Sequence, residues 1–195
     1  MGLFDTILGR TKPVASNLDQ LFALTSAAIT LEVSAGLVTT GKAGVCFKPS
    51  EDQAGADVEA EITAIMKADS TPIPAKMQSI DDEFGYRWLV VEDDQLSELV
   101  ASIHLINSSL ADKGFGPQLL CSAFSFTPTA GADSSAKPVT IVYLFKRGTF
   151  YPFCPTGTQE RDNAYELAIS AKVGSDLPKE HDLSRWMALW GNPVS

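Results

Sequence analysis

Three cysteines, Cys46, Cys121 and Cys154, and two histidines, His104 and His181, have the widest chemical range in this chain. A thiol beside an imidazole is what a cysteine-dependent hydrolase or transferase requires. His104 with Cys121 or Cys154 is the pairing to test. The cysteines are too widely spaced for a CxxC metal site, and their odd number does not make a disulfide framework. Cys46 and Cys121 fall in apolar, strand-like runs, where a thiol is usually a small core hydrophobe. Cys154 sits in Tyr-Pro-Phe-Cys-Pro, a loop-like context in which greater accessibility is expected. The sequence contains neither HExxH nor Gly-x-Ser-x-Gly, so metal and serine-hydrolase chemistry have no signature. No catalytic set, metal or cofactor is assigned.

Two short patterns resemble ligand sites and fall short of them. Gly36–Ala43 nearly matches G-x-x-x-x-G-K-[ST], but Ala43 replaces the hydroxyl that would meet Mg²⁺, and a strand-like run follows. A hairpin turn is the expected structure there. Met1-Gly2-Leu3-Phe4-Asp5-Thr6 fits the loose myristoylation pattern without a polybasic second anchor. Leu3, Phe4, Ile7 and Leu8 form one apolar stripe on a short helix, expected to contact the domain, a partner or, weakly and peripherally, a membrane.

The densest unusual cluster is Leu144-Phe145-Lys146-Arg147-Gly148-Thr149-Phe150-Tyr151-Pro152-Phe153. Arg147 can stack on Phe150 or Tyr151, or pair with a carboxylate. Lys146, Arg147, Phe150 and Tyr151, with Trp186, are the candidate partner-binding residues. The alternative is an edge strand protected by its charges. Trp186 and Trp190 pose the same choice between core and anchor. Asn107 lies on an apolar helix face and is expected to hydrogen bond a strand or loop.

The elements that position these residues follow from periodicity. A helix is expected from Ser16, burying Leu18, Leu21 and Phe22. The alternation of Ile29, Leu31 and Val33 predicts a strand, a turn follows between Gly36 and Gly41, and 43–48 is a second strand. A helix is expected over 53–67, a strand over 84–92 and the longest helix over 95–113, stopped at Gly114. Strands over 117–127 and 138–147 flank a flexible loop, 127–137. Residues 149–155 form an extended turn, and helices are expected over 161–173 and 183–190. This order predicts one α+β domain over 1–195, with 1–13 a short amphipathic segment. An antiparallel sheet of about five strands would carry helices mainly on one face.

Composition agrees with a globular protein: 195 residues, 45% hydrophobic and 20% charged. The net charge of −9 argues against a nucleic-acid partner, which calls for a dense Lys/Arg footprint. The apolar stretch at the start lacks a basic leader, so a cytoplasmic location with reduced thiols is expected.

Longer strings carry more information than these motifs. The opening Met-Gly-Leu-Phe-Asp-Thr-Ile-Leu-Gly-Arg, Val45–Lys48, Gly114–Cys121, Tyr143–Phe153 and Asp182–Trp186 resemble the PspA-associated protein PspAB family. The resemblance spans nearly the whole chain and is weakest at 68–83 and 127–138. It implies an accessory of PspA, the coiled-coil protein of the membrane-stress response, and brings no catalytic residues with it. The expectation is a non-catalytic, cytoplasmic protein-binding accessory, with PspA as the candidate partner and a homodimer as a further option. The element order is also similar to the YbjN and type III secretion chaperone-like fold, an analogy of fold alone.

Overall fold

The computed structural model describes residues 17–49, 60, 63–64 and 76–195. The stripe of Leu3, Phe4, Ile7 and Leu8 lies outside them, as does the expected 53–67 helix apart from the helical Ala60, Thr63 and Ala64. A 3-10 turn, Leu18–Phe22, leads into helix α1, Ala23–Ala35. Strand β1 (Leu37–Phe47) follows, then the hairpin β2 (Met77–Asp81) and β3 (Arg87–Glu92), helix α2 (Leu96–Leu110), and strands β4 (Leu119–Pro128), β5 (Val139–Leu144) and β6 (Thr149–Phe153). A small hairpin, β7 (Pro155–Gly157) with β8 (Glu160–Arg161), precedes helix α3, Asn163–Val173. The fold is α+β. Six strands in the order β2-β3-β1-β4-β5-β6, each antiparallel to its neighbours, make the main sheet.

Strand alternation sends successive side chains to opposite faces, so the sheet has two cores. On the first, Val45, Phe47, Leu89, Phe124, Ile141 and Phe150 meet Leu31, Ile103 and Ile169 of the three helices. On the second, among the described residues, the C-terminal tail covers Cys46, Trp88, Cys121, Val142, Tyr151 and Phe153 through Trp186, Leu189, Trp190 and Val194.

Several expectations are corrected. Ile29, Leu31 and Val33 belong to α1, not to a strand: Leu24, Ala27 and Leu31, at helical spacing, are buried, while Ile29 and Val33 face out. The turn expected at Gly36–Gly41 is the first half of a long strand. Gly41, at φ +78°, takes up a bulge in its pairing with β4 and lets Asp93 approach. Residues 77–81 add a sixth strand at the sheet edge. Residues 149–153, read as a turn, pair with β5, and their outer edge hydrogen bonds Pro178 and Glu180. The 183–190 helix shrinks to a 3-10 turn, Leu183–Arg185. The Trp186 and Met187 carbonyls that would continue it accept from Arg161 Nη1 (2.8 Å) and Tyr151 Oη (2.9 Å). Asn107 is fully buried; its Nδ2 donates to Ser122 Oγ on β4 at 2.9 Å and to Ile103 O at 2.8 Å.

Candidate functional site

The tail does not seal the second face. Between it and the β2–β3 hairpin runs a cleft of about 520 Å³. The hairpin supplies Phe84, Tyr86 and Trp88, the tail supplies Met187, Leu189 and Trp190, and Cys46 and Cys121 form the floor.

The hairpin wall is held by one carboxylate. Asp82 Oδ1 accepts from the Phe84 and Tyr86 amides, both at 2.9 Å, and its Oδ2 accepts from Trp88 Nε1 at 3.0 Å. This side chain-to-backbone turn fixes the aromatic residues on either side of Gly85, whose φ of +78° closes the tip. The tail wall is anchored by rings. Trp186 stacks on Tyr151 at 5.7 Å between centroids, and its Nε1 donates to Glu180 O at 3.0 Å. Trp190 meets the edge of Phe153 at 5.3 Å. Arg161 stands over the other aromatic contact of this layer, 4.9 Å from the Phe153 centroid, and pairs with the buried Glu166. Burial drives the Tyr151 phenol well above its ordinary range, so it stays a neutral donor to the tail.

The candidate partner-binding residues divide. Lys146 and Arg147 are exposed on the β5–β6 turn, and Trp186 is half-buried. Phe150 and Tyr151, each 1% exposed, point to opposite faces of β6 and belong to the two cores. Thr149, just after the cationic turn, donates its Oγ1 to Glu180 Oε2 at 3.1 Å. Leu183 (56% exposed) and Met187 (38%) continue the surface along the tail, and Phe84 (44%) stands on the cleft's hairpin wall. Sequence reasoning did not single out these three apolar residues. The Phe-Gly-Tyr tip and the two tail tryptophans were the available signals.

The thiol–imidazole pairing with Cys121 does not assemble. Cys121 faces the tail, whereas His104 rides on α2 across the sheet, 3.5 Å from Asp19 and 5.0 Å from the Phe22 ring. Cys154 is buried, contrary to the accessibility expected of it: its Sγ donates to Pro138 O at 3.4 Å, and burial pushes the thiol up to about 11. Among the described residues, no group of three or more His, Cys, Asp or Glu side chains could hold a metal ion. No helix among them is long and apolar enough to cross a membrane.

The family model for PspA associated protein B matches residues 1–194. The chain belongs to the PspAB family. No curated protein and no solved structure matches it. Within this PspAB chain, the cleft lies on the face against which Trp186, Leu189 and Trp190 pack.

Proposed function

We propose that this PspAB chain is a non-catalytic, cytoplasmic protein-binding accessory of a PspA-type membrane-stress response, with PspA as its partner. The family match over residues 1–194 carries this reading. The contact surface is the tail side of the molecule: Arg147 and Lys146 on their turn, then Leu183 and Met187, then Phe84 at the cleft. Exposed apolar side chains and exposed cations suit a protein interface, where a few apolar anchors inside a polar rim supply most of the affinity. Phe150 and Tyr151 contribute by packing the strand that carries the turn.

Co-purification of full-length, tagged protein with PspA tests the reading. Recovery of PspA with the wild-type chain is the expected result. Its absence contradicts the function. Unchanged recovery by the triple variant Arg147→Ala/Leu183→Ala/Met187→Ala contradicts the surface and leaves the function standing. All three side chains are exposed or end in solvent, so the triple variant is expected to fold.

A further inference from the structure

The cleft floor holds two thiols. Cys46 on β1 and Cys121 on β4 are register partners in an antiparallel ladder, and both side chains point to the tail face. Residues directly opposed in such a ladder stand about 4.5–5.5 Å apart at Cα. That lies inside the range of roughly 4.4–6.8 Å that disulfides span. The two side chains belong to one buried cluster on that face. Both thiols are free and both line the cleft. Cys154 is also free and buried, but it lies in the helix-side core with its Sγ bonded to Pro138 O.

We propose that Cys46 and Cys121 are a two-electron oxidation site, closed to an intramolecular disulfide by a peroxide that enters the cleft. One thiol sulfur, giving up its proton, attacks a peroxide oxygen. The O–O bond breaks, a sulfenic acid forms and water leaves. The second sulfur, also losing its proton, attacks the sulfenic sulfur, the S–S bond forms and a second water leaves. The pair loses two electrons and two protons, and one hydrogen peroxide becomes two waters. No third protein group is consumed, and the strands already hold the two sulfurs side by side. This assignment does not depend on the PspA reading.

The test uses reduced, full-length protein under native conditions. It is exposed briefly to hydrogen peroxide, quenched with catalase, then denatured and alkylated with N-ethylmaleimide. The expected product takes up one maleimide, at Cys154, and its intact mass falls by two hydrogens beyond the missing adducts. Peptide mapping joins Cys46 to Cys121, and dithiothreitol restores all three alkylations. The Cys154→Ala variant forms the same bridge, while Cys46→Ala and Cys121→Ala form none within the chain. Three maleimides after peroxide would overturn the proposal. So would separate sulfinic acids at Cys46 and Cys121, or bridges that include Cys154, which would mean that unfolding exposed the thiols. If a single-cysteine variant does not fold, the wild-type and Cys154→Ala maps decide the matter alone.

Discussion

Asp82 shows how much one side chain can organise. Its three acceptor contacts define the hairpin tip and orient the Trp88 indole into the cleft wall. Replacing it with alanine leaves the N–H of the buried Trp88 indole without its partner, at a cost of about 1–3 kcal/mol. Asp82→Ala should lower the unfolding free energy obtained from urea titration by that amount and alter Trp88 emission; an unchanged unfolding free energy would remove Asp82 from this role. Other carboxylates set the acid response. Hydrogen bonds from Arg87, Lys137 and Ser184 hold Asp81, Asp162 and Asp182, respectively, below the ordinary carboxylate range. Unfolded, these groups titrate near pH ~3.9. Their stabilisation is therefore complete above that pH and disappears as pH falls through the lower native values. Asp162 also caps α3, accepting from the Tyr165 amide at 2.9 Å. Asp162→Asn should flatten the acid limb of stability against pH, read from urea midpoints. An acid limb as steep as that of the wild type would contradict the assignment.

At the scale of elements, the tail is the part that needs explaining. It has little regular structure, so its placement depends on what it packs against. Gly44 on β1 makes one such contact possible: a Cβ there would come 3.1 Å from Val194 Cγ1 and 3.3 Å from Leu89 O. Gly44→Ala should press on Val194 and loosen its seat on the sheet, at about 1–3 kcal/mol for overpacking, with faster proteolysis of the last residues. Equal proteolysis of variant and wild type would show that the tail is not seated through this contact. The same reasoning explains what periodicity could reveal. Helices α2 and α3 were legible from buried positions at helical spacing, and strands β3 to β5 from short apolar runs that are buried on both faces. Helix α1 was misread because Ile29 and Val33 are exposed apolar residues, which break the expected one-sided pattern. Strand β1 was cut short because Gly41 looks like a turn glycine, and only its partners β3 and β4 reveal a bulge. The tail was read as a helix because Trp186 and Trp190 sit four apart, but Arg161 and Tyr151 capture the carbonyls that a helix would use. As for the site, Arg147 and Trp186 were visible as residue types. The facing of Cys46 with Cys121 was not, because cross-strand register joins positions far apart in the chain.

At the scale of the whole molecule, one sheet separates two unlike layers. Among the described residues, three helices close one face with a continuous apolar core, while an irregular tail covers the other and leaves a cleft lined by the exposed Phe84 and Met187. The proposed recognition surface lies on the tail side. The measurement that tests this most directly is the affinity of purified full-length chain for purified PspA, compared with that of the Arg147→Ala/Leu183→Ala/Met187→Ala variant at equal stability. The account predicts saturable binding by the wild type and a loss of tenfold or more in the variant, which is at least about 1.4 kcal/mol. An absence of saturable binding by the wild-type chain would contradict it.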